Sequence, residues 1–150
     1  MVHTFSKSRS LAGLRLGFAL GNPELIQTLF TVKDSFNSYP LNRLSQEIAI
    51  RALQDEQYFQ DVRTRVISTR QYTVEQLEKR GWRVLPSTAN FIFASAPGID
   101  GHTVYTDLKE HGILVRYFNH AGIHEFVRIT IGTEAQMNTL FSTLDTLYSH

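Results

Sequence analysis

Apolar and polar positions along the chain change their period twice. Met1 to Phe5 reads as a short strand, and Leu14 to Leu20 alternates well enough to be a second one. A helical period follows. Asn22-Pro23-Glu24 is a helix start, because Asn22 can cap, Pro23 has no N–H to leave unsatisfied, and Glu24 meets the positive helix end. Leu25, Ile26, Leu29, Phe30 and Val32 supply that helix's apolar face. Asn37-Ser38-Tyr39-Pro40 breaks the pattern, and Leu44, Ile48, Ala49 and Leu53 mark a second helix. Asp55 can cap a third, long helix with Phe59, Val62, Val66, Thr73 and Leu77 as its buried stripe. It ends at Gly81, the residue type expected just past a helix terminus.

Beyond Gly81 the period shortens again. Trp82 to Leu85 and Asn90 to Ala94 read as strands around a Pro86-Ser87 turn, and Asp100 to His111 as a short helix closed by Gly112. Ile113 to Arg116 and Phe126 to Ile131 are further strands. Thr133-Glu134-Ala135-Gln136 matches a capping box and opens a last helix with Met137, Leu140, Phe141 and Leu144 inward. The order β-β-α-β-β-α predicts a small α+β unit, one sheet with helices on a face. Residues 1 to 36 offer only two strands and a helix, with apolar residues facing both ways. Strands buried on both faces belong to a larger sheet, so the start of the chain is expected to be cut out of something bigger and to leave apolar surface.

Composition narrows the function classes. With 150 residues, 42% hydrophobic and 19% charged, the chain is of ordinary globular type and one domain's length. Fifteen basic against fourteen acidic residues leave +1, and no basic block advertises nucleic acid or an anionic membrane. The absence of cysteine removes disulfide and thiolate chemistry. No apolar run is long enough to cross a bilayer and no signal pattern opens the chain, so a cytoplasmic location is the expectation.

Specific chemistry concentrates in Thr4-Phe5-Ser6-Lys7-Ser8-Arg9-Ser10-Leu11-Ala12-Gly13-Leu14-Arg15-Leu16-Gly17. A lysine that forms an imine with an aldehyde needs a fixed position and partial desolvation, so that its amine can be neutral. A strand ending in small hydroxyl residues supplies the position. Thr4, Ser6 and the Arg15 guanidinium could hold a phosphate through charge-assisted bonds, and Gly13 and Gly17 let the backbone pass close to a ligand. On pattern alone, Arg128 between Val127 and Ile129 reads as an outward-facing arginine on a half-exposed strand.

Thr-x-Ser-Lys followed by Leu-Ala-Gly-Leu-Arg-x-Gly resembles the fold-type I aminotransferases of classes I and II, and within them the histidinol-phosphate aminotransferases. The resemblance implies that Lys7 is the Schiff-base lysine of a pyridoxal 5'-phosphate (PLP) enzyme, and that Thr4, Ser6 and Arg15 bind the cofactor phosphate. It continues through Thr88-Ala89-Asn90-Phe91-Ile92-Phe93, Gly112-Ile113-Leu114-Val115-Arg116 and Val127-Arg128-Ile129-Thr130-Ile131-Gly132. In the family, the arginines at the positions of Arg128 and Arg116 grip an anionic group of the substrate. Asn37 to Arg43 departs from the family's Pro-Tyr-Asn loop, so Tyr39 and Asn42 receive no role.

The implied fold is α/β, a partial PLP-transferase fold type I. Residues 1–55 would be a remnant of the large PLP-binding domain with its connecting helices, and residues 56–150 the C-terminal α+β small domain with the long interdomain helix. The implied reaction moves an amino group between histidinol phosphate and 2-oxoglutarate in histidine biosynthesis. Lys7 would carry the α-proton, and the cofactor would act as the electron sink. The implied assembly is a homodimer or association with an N-terminal half that carries the ring-stacking aromatic and the pyridine-pairing aspartate. Two alternatives are a PLP-dependent decarboxylase of a phosphorylated amino acid and a non-catalytic binding module that keeps the small domain. No metal site is expected. His120 and His124 are four apart but flank Gly122 in a loop-like stretch with no third ligand. No Gly-x-Ser-x-Gly elbow, dinucleotide fingerprint or phosphate loop occurs. The charges from 55 to 80 are a solvated helix face.

Overall fold

The computed structural model describes residues 1–37, 39 and 41–148, and the chain divides into two compact units, Met1–Arg63 and Thr64–His150. Of the expected break at Asn37 to Pro40, Ser38 and Pro40 lie outside the described residues.

In the first unit, β1 (Val2–Thr4) pairs antiparallel with β2 (Gly17–Ala19), with Thr4 opposite Gly17. Both strands are shorter than their sequence pattern suggests. Phe5 does not extend β1. The Thr4 side chain, on an extended backbone, accepts the Ser6 N–H and turns the chain into the single-turn helix α1 (Phe5–Ser8). Leu14 does not open β2, because Ala12–Leu14 forms a 3-10 turn and Arg15 takes a left-handed conformation. Gly17 is required by close approach. A Cβ there would lie 2.8 Å from the His3 carbonyl oxygen.

Helix α2 (Pro23–Phe36) starts as expected, with the Asn22 side chain accepting the Glu24 N–H at 2.8 Å. Its apolar face, however, has nothing to cover it within its unit. No residue of α2 is buried, and Leu25, Leu29, Phe30, Val32 and Phe36 are each at least half exposed. Helix α3 (Arg43–Gln54) is capped by Asn42, and α4 (Glu56–Lys79) receives a cap from the Asp55 carboxylate to the Tyr58 N–H. The core of this unit is Phe5, Leu16 and Ala49, with Leu11 and Leu14 packed against them.

The second unit is a four-stranded antiparallel sheet in the order β3 (Arg83–Val84), β4 (Phe91–Ser95), β6 (Val127–Thr130), β5 (Arg116–Tyr117). Helices α5 (Gly101–Glu110) and α6 (Glu134–Tyr148) complete the β-β-α-β-β-α order. Two-residue alternation along β4 and β6 places Ile92, Ala94, Val127 and Ile129 on one face, all buried. That face packs with Leu77 of α4, Val104 and Leu108 of α5, and Met137, Leu140, Phe141 and Leu144 of α6.

Three devices hold the helix ends. Asp100 caps two N–H groups of α5, and Thr133 and Gln136 exchange the reciprocal bonds of a capping box. Gly81 closes α4 with φ +76°. The stripe on α4 is buried at Thr73 and Leu77 and half-buried at Phe59, Val62 and Val66. Ile113 to Val115 do not pair as a strand. The Ile113 N–H turns back to the Leu108 carbonyl and helps terminate α5, so β5 starts only at Arg116. No helix is long and apolar enough to cross a membrane among the described residues.

Candidate functional site

Two groups of residues carry the candidate chemistry, one in each unit. The first is the turn around Lys7. Thr4 ends β1, and Ser6 and Lys7 lie on α1, so the lysine stands on a helical turn rather than at a strand end. The Thr4 hydroxyl lies 2.8 Å from the Ser6 hydroxyl and accepts the Ser6 N–H at 3.1 Å. The Leu16 carbonyl accepts the Phe5 N–H, which brings the segment after Arg15 alongside the start of α1. The sequence therefore folds Thr4, Ser6, Lys7 and the Arg15 backbone into one hairpin end.

Lys7 and Arg15 are exposed, and neither side chain makes a hydrogen bond or ion pair among the described residues. The desolvation expected around Lys7 is not supplied by the residues of its own unit. Of α1 only Phe5 is buried. Ser10 (φ 57°) and Arg15 (φ 55°) both hold left-handed backbones that non-glycine residues seldom adopt. Such conformations cost roughly 1–3 kcal/mol each and concentrate at ligand-binding turns. Two adjacent hydroxyls on a hairpin end that also carries a lysine and an arginine are residue types that suit a phosphorylated aldehyde.

Sequence reasoning missed Arg9. Its side chain is only 12% exposed. It donates to the Ala52 carbonyl at 2.8 Å, the Asp55 carbonyl at 3.3 Å and the Glu56 carboxylate at 3.1 Å, and it lies 4.0 Å from the Phe59 ring centre. The Glu56 carboxyl is held below its ordinary value, first by the Gln60 amide and then by Arg9. A positive residue in a Ser-rich loop gives no hint in sequence that it will reach a helix corner more than 40 positions away.

The second group lies on the sheet face opposite the core of the second unit. Arg128 of β6 stands directly across from Arg116 of β5 on one side and Phe93 of β4 on the other. Like charges placed opposite one another on neighbouring strands repel. Neither guanidinium has a carboxylate partner among the described residues. Aromatic rings hold them instead. Arg128 lies 5.1 Å from the Phe91 ring centre and 5.8 Å from that of Phe118, and Arg116 lies 5.0 Å from Phe118. Phe118 in turn stacks on Phe93 at 6.0 Å.

Rings offer about 0.5–2 kcal/mol per contact and leave the positive charge uncompensated. The Arg128 Nε is buried without a hydrogen-bond partner. A buried, unsatisfied donor on a cation is costly, and an anion is the ligand that would offset it. The sequence signal for these rings was present but unread: Phe91 and Phe93 share the face of Arg128 by the two-residue period. Elsewhere, Tyr39 is 91% exposed, while Asn42 serves as the α3 cap. The His120 ring bonds the neighbouring Ala121 carbonyl, and no metal-holding group of histidine and carboxylate residues forms among the described residues.

Comparison with known proteins gives one consistent result. The profile of the family "Aminotransferase class I and II" matches residues 1–144. A histidinol-phosphate aminotransferase of Syntrophus aciditrophicus is 54% identical over 148 residues, covering 99% of this chain and 41% of that protein. The histidinol-phosphate aminotransferase structure from Clostridium acetobutylicum superposes with a TM-score of 0.86 at 25% identity, over 97% of this chain and 44% of that one. The enzyme from Sinorhizobium meliloti, solved in complex with pyridoxal-5'-phosphate, gives 0.83 at 28% identity, over 98% and 41%. The chain thus spans about 41% of the length of its curated relatives. By profile, identity and fold, this chain belongs to the class I and II aminotransferases.

Proposed function

We propose that this chain is the lysine-bearing, C-terminal portion of a PLP-dependent histidinol-phosphate aminotransferase. The observation that carries the reading is the pairing of Arg116 with Arg128. Two opposed guanidiniums lack carboxylate partners, and one has a buried, unsatisfied Nε, in a chain about half identical to enzymes that bear this name. Two positive charges on one surface suit a doubly charged phosphate monoester, and each also suits the carboxylates of a 2-oxo acid.

Thr4, Ser6 and Arg15 would hold the cofactor phosphate, and Lys7 would hold the cofactor itself. When bound, PLP supplies the electron sink that makes a substrate α-proton removable. Lys7 Nζ takes that proton and returns it, which requires the amine to be neutral during the exchange. Arg116 and Arg128 would bind the substrate by its anionic group. In this reading, residues 1–55 belong to the large domain of a fold-type I enzyme and residues 56–150 form its small domain. The rest of the large domain covers α2 and the β1–β2 ribbon and supplies the desolvation that Lys7 lacks. A homodimer and a cytoplasmic setting accord with the same reading.

The test is a product assay on the intact enzyme with histidinol phosphate and 2-oxoglutarate. Glutamate formation, with KM for the phosphorylated donor raised about tenfold or more in Arg128→Gln, supports the proposal. Carbon dioxide release from a phosphorylated amino acid, without glutamate, replaces it with the decarboxylase reading. Absence of both, with no PLP bound, leaves a non-catalytic module.

A further inference from the structure

We propose that Arg9 is a positioning residue for Lys7, anchoring the single-turn helix that carries the lysine to the corner between α3 and α4. The inference rests on the Schiff-base role given to Lys7 above.

Helix α1 has four residues and buries only Phe5, so it cannot hold its own geometry. Isolated helices of that length are not stable, because nucleation costs more than one turn returns. Something outside the helix must fix it, and Arg9 does so from the cap position. Its backbone N–H bonds the Phe5 carbonyl at 3.3 Å, closing α1. Its guanidinium, two residues beyond Lys7, holds the opposite partner. One nitrogen serves the Ala52 and Asp55 carbonyls, where α3 ends, and another serves Glu56, where α4 begins.

The orphan carbonyls at a helix C-terminus are natural acceptors for a cation. The Phe59 ring lies against the guanidinium at 4.0 Å, and the side chain is 12% exposed. The opposing surface is therefore built to fit a planar, forked cation. A lysine ammonium could supply the charge, but it could neither span two carbonyls and a carboxylate nor stack on the ring. The Arg9 guanidinium bonds none of the side chains assigned to the cofactor, while its backbone N–H reaches the Lys7 and Phe5 carbonyls. It acts through the backbone between itself and Lys7.

The experiment uses the intact enzyme and two readouts. Hydrogen exchange of the apoenzyme reports the turn without any cofactor. Exchange at residues 6–11 is expected to accelerate about tenfold or more in Arg9→Ala, with the amides of β4 and β6 unchanged. The rate at which borohydride fixes PLP to Lys7 reports positioning, and should fall about tenfold or more, since displacement by about 1 Å can cost a hundredfold. Arg9→Lys should recover less than half of either loss. Glu56→Gln, which keeps the carbonyl bonds and the ring, should change the fixation rate less than about threefold.

Parental exchange and parental fixation in Arg9→Ala would overturn the proposal. If Arg9→Ala fails to fold, Arg9→Lys decides: full parental behaviour there would also overturn it. Failure of the parent enzyme to fix PLP at Lys7 would instead sink the functional reading, while the exchange result would still report whether Arg9 anchors the turn.

Discussion

The two units meet water differently. In the second, a continuous core joins the sheet to three helices, and Leu114 is its only large hydrophobic residue exposed among the described residues. In the first, the core is Phe5, Leu16 and Ala49, while Val2, Phe18, Leu29, Phe30, Phe36 and Leu44 face outward. Both units obey their local rules of capping and turn formation equally well. Local signals shape elements, whereas autonomous stability comes from a second layer to bury them against. Lys7 stands in the unit that lacks this layer. The opposed arginines stand on the unit that has it.

This contrast can be broken by mutation. The largest effect is expected in the second unit. Leu140→Ala should lower its unfolding free energy by about 2–5 kcal/mol, read by urea denaturation followed at Trp82, because Leu140 is 2% exposed in a close-packed cluster. Phe5→Ala should cost less, about 1–3 kcal/mol, since a core of three side chains can collapse around the space. It should show as faster hydrogen exchange confined to residues 1–63. If Phe5→Ala proved the costlier of the two, the first unit would have a core of its own after all.

A smaller effect concerns acid stability. Asp145 forms a two-pronged bond with Arg80, 2.6 and 2.7 Å, on α6 and just past α4. The Arg80 guanidinium holds the Asp145 carboxyl below its ordinary 3.8. A depressed carboxylate contributes stability that is fully present above its unfolded value and is lost as pH falls through the folded one. Asp145→Asn should therefore flatten the decline of second-unit stability below about pH 4 and cost under about 1 kcal/mol at neutral pH, because the pair is partly exposed. Thermal melts from pH 7 to pH 2 check the sign. The smallest effect is expected on α2. Leu29→Ser should move the stability of this chain by no more than about 0.5 kcal/mol, yet reduce its self-association in sedimentation, since it removes exposed apolar area.

Legibility from sequence followed the same division. The second unit was readable almost element by element, because its two-residue and helical periods are set by a real inside and outside. Met137, Leu140, Phe141 and Leu144 turn inward as their spacing says. The apolar stripe of α2 was equally clear, but a stripe states only that a helix has a face to bury, not that its own unit buries it. The Lys7 turn was legible as a motif and wrong as a shape. A strand was expected where the Thr4 hydroxyl competes for the Ser6 N–H and starts a helix. Arg9 and Phe118 were invisible for a different reason: their partners are supplied by tertiary approach, which no local pattern encodes.

Every role proposed for the first unit depends on Lys7 holding PLP. The direct measurement is borohydride reduction of the intact enzyme with PLP, followed by peptide mapping beside Lys7→Ala. A pyridoxyl-phosphate label is expected on the peptide containing Lys7, together with loss of the cofactor's visible absorption, and no label in Lys7→Ala. A label spread evenly over Lys33, Lys79 and Lys109, or retained in Lys7→Ala, would contradict it.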